Sequence, residues 1–350
     1  MKKILNVAVV GYGGMGGWHT EIISKIDELK LVGVYDILEE RNQAAEKKGI
    51  HAYSSLDDLL KDDSVDLITI ATPNDVHLEI ALKCMDAGKN IVVEKPVAMN
   101  SDELQQMIDS SIKNNVLFTV HQNRRWDEDY LVVKKLYDEN VLGRVFNIEG
   151  RVHGSRGIPG DWRNKKQHGG GMILDWGVHL FDQILQMFKD RKMISLYATL
   201  STVTNEDVDD GFTVIFKYED DLKVLIEVGT SNFINMPRWY IQGENGTAII
   251  KDWDLTGEIV MVSDWEKRDA VPVVTAAGLT KTMAPRTEET IEKYPLPRIQ
   301  SDIKDFYKNV RATIFDGADI IVKTDELMQS MKLMEAIFYS GENNKVVYFD

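Results

Sequence analysis

The chain has 350 residues, 43% of them hydrophobic and 28% charged, and a formal net charge of −15. That length predicts two domains with enough apolar material for a sizeable core, and so acidic a surface argues against nucleic acid and anionic lipid as partners, because both repel it. No apolar stretch approaches the roughly 20 residues of a membrane span, and Cys84 is the single cysteine, so an internal disulfide is excluded and a reducing, cytoplasmic setting is expected.

The apolar run Leu5–Val10 leads into a glycine loop rather than a small-residue cleavage site, which marks it as a buried strand rather than a signal peptide. Similar β-branched runs follow at 31–35, 66–71, 90–94 and 116–120. Between them lie stretches with apolar residues three and four apart, such as 75–86 and Ser101–Asn114, which predict helices. Continuous apolar strands separated by helices predict a parallel sheet covered on both faces. Gly88 falls where a helix C-cap belongs, and Asn100 where the next N-cap belongs.

Beyond about residue 122 the pattern changes. A helix is predicted at 129–139 and a strand at 145–152. The segment 153–171 is polar, glycine-rich and aperiodic, and a loop of that length is uncommon unless functional. A helix at 172–188 precedes strand-like segments at 195–203, Gly211–Tyr218, 222–229, Trp239–Gly243, 247–251 and 258–262. Short turns between them predict antiparallel pairing. The stretch 265–297 fits no element, and helices are predicted at 298–314 and 324–339. The fold class is therefore α/β: a doubly wound Rossmann domain over 1–122, then an α+β domain over 123–350 with an open, mostly antiparallel sheet.

Gly11, Gly13 and Gly16, with Tyr12, Gly14 and Met15 between them, form a G-x-G-x-x-G run directly after a predicted strand and at the start of a predicted helix. In that context the glycines permit a tight turn, close approach of a pyrophosphate and close helix–strand packing, and the helix N-terminus offers free N–H groups to phosphate. Asp36 ends the second predicted strand 20 residues after Gly16, where an acidic side chain bonds the adenosine ribose and repels a 2′-phosphate. This favours NAD over NADP, although Arg41 nearby keeps NADP open. Thr72, Pro73 and Asn74 occupy a carboxyl-end loop, where ligands of such sheets sit; a plain strand-to-helix turn reads the same.

Glu94, Lys95 and Pro96 follow the next strand. An ammonium there would reach a reacting hydroxyl and stabilise a developing alkoxide. Asp175 and His179 lie four apart, after three consecutive glycines at 169–171, and share a helix face with Asp182 close by. Oxidation of a secondary alcohol needs a base, and imidazole suits that at neutral pH. No Cys/His cluster has metal-ligand spacing, so no metal is expected.

Taken together, the glycine run at 11–16, Thr72-Pro73-Asn74 with His77, Glu94-Lys95-Pro96, and the 169–179 motif with Asp182 resemble, in order and spacing, the glucose–fructose oxidoreductase/inositol dehydrogenase/rhizopine-catabolism (Gfo/Idh/MocA) family. The resemblance covers nearly the whole chain and is weak beyond about residue 200. It implies a catalytic set of Lys95, Asp175 and His179, with His179 as general base, Lys95 tuning proton transfer and Asp175 orienting substrate. It also implies cofactor contact from Gln122, and dimers or tetramers formed through the second sheet. The run 121–127 looks most like members acting on sugars and cyclitols. Arg124, Trp126, Trp162 and Arg163 are then the expected substrate-binding residues, with Trp126 and Trp162 able to stack on a sugar ring. Arg151, Arg156, Lys166 and His168 are further candidates, or else part of a solvated lid. The function implied is hydride transfer between NAD and a hydroxyl-bearing carbon of a sugar or cyclitol. Two other readings are a glycoside-processing enzyme that works through transient ring oxidation, and a nucleotide sensor on the same scaffold.

Overall fold

The computed structural model describes residues 3–267 and 271–349. Its first unit runs β1 (Leu5–Val10), α1 (Gly14–Ile23), β2 (Leu29–Tyr35), α2 (Glu39–Glu46), α3 (Leu56–Leu60), β3 (Leu67–Ile70), α4 (His77–Asp86), β4 (Asn90–Val93), α5 (Ser101–Asn114) and β5 (Phe118–Val120). The strands pair in parallel in the order β2-β1-β3-β4-β5. Leu67–Ile70 is buried at every position, as a strand covered on both faces requires. The chain steps from β1 outward to β2, then returns to the other side of β1 for β3. That reversal makes the crevice at the carboxyl ends of β1 and β3 the ligand-binding position of the fold. Gly11, Thr72, Glu94 and His121 all follow strand ends on this edge.

Local chemistry sets the helix limits. Asn100 caps α5, its side chain accepting the Glu103 N–H at 2.9 Å, and Asn115 ends the helix in the left-handed region. The helix predicted from residue 75 begins as a 3₁₀ turn over Asn74–Val76 and becomes α-helical at His77.

The second unit contains α6 (Glu128–Asp138), β6 (Val145–His153), α7 (Val178–Met187), β7 (Met193–Ser201), β8 (Gly211–Tyr218), β9 (Lys223–Gly229), β10 (Trp239–Gly243), β11 (Gly246–Ile250), β12 (Gly257–Val262), β13 (Val273–Thr275), β14 (Gly278–Thr280), β15 (Ile291–Tyr294), α8 (Lys304–Asp316), α9 (Thr324–Asn343) and β16 (Val347–Tyr348). Nine strands form one sheet, β15-β12-β11-β10-β6-β9-β8-β7-β16. All neighbours are antiparallel except β6 and β9, which run parallel. The cross-strand row Val214, Ile226, Gly150, Trp239 and Ile250 is buried throughout. The adjacent row Ile215, Leu225, Glu149, Tyr240 and Ile249 stays partly exposed. Period-two alternation thus leaves one sheet face open.

Two expectations change. The stretch 265–297 holds a small hairpin (β13 and β14) and β15, which extends the sheet by pairing with β12; residues 268–270 lie outside the described residues. The helix expected from 298 begins at Lys304, because Asp302 Oδ1 accepts the Lys304 N–H at 2.9 Å and fixes the start there. The last helices also return to the first unit. Tyr307 of α8 reaches α1 and β3, and Thr119 Oγ1 donates to the Val322 carbonyl at 2.8 Å.

Candidate active site

At Gly11 and Gly16 the glycine loop leaves no room for a side chain. Gly11 has φ +90°, and a Cβ at Gly16 would stand 1.8 Å from the Gly11 carbonyl oxygen. Both neighbouring atoms are backbone and cannot yield cheaply. Gly16→Ala is therefore expected to destabilise the fold by more than about 2 kcal/mol and to abolish dinucleotide binding in whatever protein still folds. A variant with the wild-type melting temperature and wild-type NAD affinity would contradict this close approach.

Beyond the loop a cleft of about 570 Å³ opens between Gly11, Asp36, Arg41 and Thr72, with Trp162 and His168 on its far wall. Asp36 is buried, its Oδ2 accepting the Tyr12 N–H at 2.7 Å and its Oδ1 the Leu38 N–H at 2.9 Å. Arg41 Nη1 lies 3.2 Å from the same Oδ2 and also flanks Gly13. Gly14 has open space and Met15 is exposed beside it. Thr72 Oγ1 and Gln122 Oε1 are buried without hydrogen-bond partners at the ends of β3 and β5. Orphaned polar atoms are rare in protein interiors; Thr72 lines this cleft, where a dinucleotide would satisfy its hydroxyl, and Gln122 follows β5 at the same carboxyl-end edge of the sheet. The residues present fit NAD.

Other expected cofactor residues are engaged within the protein. His77 is fully buried, with Nδ1 3.0 Å from the Pro96 carbonyl and Nε2 2.9 Å from the Thr72 carbonyl, so the single N–H of the neutral ring donates to one of the two carbonyls flanking it. Asn74 Nδ2 donates to the Gly169 carbonyl at 3.0 Å and so joins the first unit to the glycine-rich segment of the second. His168 adds a contact of 2.9 Å to Asp75. Glu94 lies between His19 and His121, 2.8 Å from each.

The catalytic candidates converge across the two units. Lys95 Nζ donates to the Asp175 carbonyl at 2.8 Å and to Asp175 Oδ1 at 3.1 Å, and Arg163 Nε approaches that same Oδ1 at 3.6 Å. Burial alone would push the Asp175 carboxyl up, but the Lys95 ammonium and the Arg163 guanidinium outweigh it and hold the group below the usual carboxylate range. Asp175 sits in a single π-turn, Ile173–Gly177, that opens the predicted 172–188 helix before α7 begins. Such turns recur at functional sites. Asp209 anchors this one, its Oδ2 accepting the Ile173 N–H at 2.8 Å. His179 is buried with Nδ1 unpartnered. Burial, then the charges of Lys95 and Arg124, holds its pKa well below the ordinary value, so the imidazole is a neutral base with a free nitrogen.

His19 and His77 are likewise held below their ordinary pKa, mainly by burial. Depressed histidines contribute stability above the unfolded value near 6.5, and that stability is lost as pH falls below it. Each removes up to about 1.4 kcal/mol per pH unit within that window. The melting temperature should therefore fall as pH drops below about 6.5; a flat profile there would contradict neutral burial of these rings.

Of the expected substrate residues, Arg124 stands beside the candidate catalytic residues. Its guanidinium lies 4.1 Å from the Trp176 ring centroid and donates to Asp127 at 2.8 Å. Trp126 turns instead toward the core, meeting Phe306 edge-on at 5.9 Å. Trp162 lines the cofactor cleft, with Arg163 stacked 4.5 Å from its ring. Asp182 does not join the set; it is buried in an ion pair with Arg125, contacted at 2.6 and 2.7 Å. Arg151 is held by Glu149 and Glu227 on the open sheet face, and the Lys166 main chain bonds Asp207. Sequence reasoning missed Trp176, which lies inside the recognised motif, 6.0 Å from the His179 ring. It also missed Trp253, 5.9 Å from Trp176 and stacked by Arg238 at 3.7 Å, on a turn that carries no local signal.

A family model described as an oxidoreductase family with an NAD-binding Rossmann fold matches residues 5–122, and the Gfo/Idh/MocA C-terminal domain model matches residues 130–249. A scyllo-inositol 2-dehydrogenase (NADP(+)), IolW, of Bacillus subtilis is 24% identical over 99% of this chain and 96% of its own length. An NAD-binding protein from Listeria innocua is 46% identical in its crystal structure, with a TM-score of 0.96 over 99% of this chain and 100% of that one. GenD2 from gentamicin A biosynthesis, solved in complex with NAD, shares the fold with a TM-score of 0.75 at 22% identity, over 100% of this chain and 97% of its own. With both units matched in order, the chain belongs to the Gfo/Idh/MocA family of NAD-binding oxidoreductases.

Proposed function

We propose that the protein oxidises or reduces a hydroxyl-bearing carbon of a sugar, sugar derivative or cyclitol, with NAD preferred over NADP. The observation that carries this reading is Lys95 Nζ held on Asp175 beside a buried, neutral His179 with an unpaired nitrogen. Bound NAD supplies the hydride acceptor. His179 takes the hydroxyl proton, for which a neutral imidazole is suited. Lys95 donates a hydrogen bond to the same oxygen and stabilises the charge that develops there. Asp175, ionised beside Lys95 and Arg163, accepts from a second hydroxyl and fixes the ring's orientation. Arg124, lying flat on Trp176, binds a further oxygen; a polyol offers such acceptors at every carbon.

Asp36 accounts for the preference for NAD, because its buried carboxylate and a 2′-phosphate repel each other. The half-exposed row Ile215, Leu225 and Tyr240 on the open sheet face supports a homodimer or homotetramer.

The test uses a polyol and a glycoside, each deuterated at the reacting carbon. Deuterium accumulating on the nicotinamide as NADH forms supports net hydride transfer. Deuterium retained in a cleaved glycoside product, with no NADH formed, would replace this reading with transient ring oxidation.

A further inference from the structure

A buried polar chain runs beneath Lys95 and draws on α1, β3, α8 and the segments that follow β4 and β5. Glu94 Oε1 lies 2.8 Å from His19 Nε2 on α1 and 2.8 Å from His121 Nδ1 after β5. His19 Nδ1 lies 2.7 Å from the Tyr307 hydroxyl on α8, and that hydroxyl lies 3.1 Å from Thr69 Oγ1 on β3. The two imidazoles and Tyr307 are fully buried. The other carboxylate oxygen, Oε2, accepts the Lys95 main-chain N–H at 3.2 Å.

Hydrogen-bond roles follow from the groups themselves. An ionised carboxylate only accepts, so His19 Nε2 and His121 Nδ1 both donate to it. His19 Nδ1 is then an acceptor and takes the Tyr307 proton, while Tyr307 oxygen accepts from Thr69. Burial by itself would force Glu94 to protonate, and the two histidines overturn this, keeping it well below the usual carboxylate range. The chain therefore holds one negative charge in the protein interior, one residue from the ammonium that the proposed function uses. Among the described residues, His19, Glu94 and His121 are also the one cluster whose donors could gather a metal ion. The bonds to Glu94 and the Tyr307 hydroxyl already occupy the atoms such an ion would need, and only His121 Nε2 is unpartnered.

We propose that His19, His121 and Tyr307 are positioning residues that hold Glu94 as a fixed anion against the Lys95 main chain, and through it place the Lys95 ammonium on Asp175. This rests on Lys95 being the catalytic cation. Without the imidazoles the carboxyl protonates, its grip on the Lys95 N–H weakens, and the ammonium loses a neighbouring negative charge.

The test compares His19→Leu and His121→Leu with His19→Gln and His121→Asn, whose amides can still donate toward Glu94. Two readouts are made on folded protein saturated with NAD. The first needs no substrate: the rate at which an activated ester acylates Lys95 at fixed pH, followed by mass spectrometry of the Lys95 peptide. The leucine variants should be acylated at least about threefold faster, since a lysine with less neighbouring negative charge is a better nucleophile, and the amide variants should return toward wild type. The second is turnover of whichever polyol the enzyme accepts. The leucine variants should lose at least about tenfold in kcat with less than about threefold change in NAD affinity, as a displaced catalytic group predicts. Leucine variants with wild-type Lys95 labelling would overturn the proposal, as would amide variants as impaired as the leucines. Altered labelling in a protein that turns over no polyol would uphold the positioning chain and count against the proposed reaction instead.

Discussion

His179→Ala is expected to lower turnover by about 100- to 10,000-fold, the range a positioned general base contributes, while NADH binding stays within a few-fold of wild type. The imidazole is buried beside Lys95, and burial with the charges of Lys95 and Arg124 keeps it neutral. The acid limb of the rate profile should therefore lie below the ordinary histidine value, because His179 gains its proton only at lower pH. Lys95→Ala should be impaired as severely, since it removes the ammonium and leaves Asp175 facing Arg163 alone. On the proposed mechanism, in which both residues act on one proton and one oxygen, the two losses should not add. Turnover within about twofold of wild type in His179→Ala would remove this residue from the chemistry.

Asp36→Ala is expected to weaken NAD binding by about 10- to 100-fold, the loss that follows removal of a charged hydrogen-bond acceptor, and to weaken NADP binding less. Asp36 presents its carboxylate at the cleft with Arg41 at 3.2 Å. Without the carboxylate, repulsion of a 2′-phosphate disappears and the guanidinium is free to meet it. Because Asp36 also accepts the Tyr12 and Leu38 N–H groups, Asp36→Asn is the cleaner companion: it keeps an acceptor and loses the charge. Titration of each variant with both dinucleotides decides the matter. Equal losses for NAD and NADP would sink the ribose argument and leave Asp36 as a brace for the glycine loop.

The Rossmann half was legible because its signals are local. Leu5–Val10, the glycine run and the Asn100 cap each act within one turn of chain, and the structure places all three as expected. The spacing of Asp175 and His179 is local too, although the structure sets Asp175 in a π-turn ahead of α7 rather than on one α-helix with His179. What local pattern cannot carry is the partner brought in from far along the chain. Nothing about His19 announces that α1 will set it on Glu94, or that Tyr307 will arrive from α8, 288 residues away, to bond its other nitrogen. The packing of Trp126 on Phe306 was not legible, because an aromatic among arginines reads alike whether it faces a pocket or a distant core side chain. The parallel pairing of β6 with β9 was hidden too, because α7, β7 and β8 separate the two strands in sequence and no local pattern spans them. The edge strand β15 was missed because only Thr290 and Leu296 near it are buried, which leaves almost no alternation to read.

The most direct test of the central claim is reduction of NAD by the purified protein across free sugars, inositols, sugar acids and glycosides, followed by NADH absorbance and repeated with NADP and with Lys95→Ala. The account predicts steady NADH formation with at least one polyol or free sugar, faster with NAD than with NADP and lost in Lys95→Ala. Absence of NADH with every free polyol, together with cleavage of a glycoside seen by chromatography, would contradict net hydride transfer as the reaction of this site.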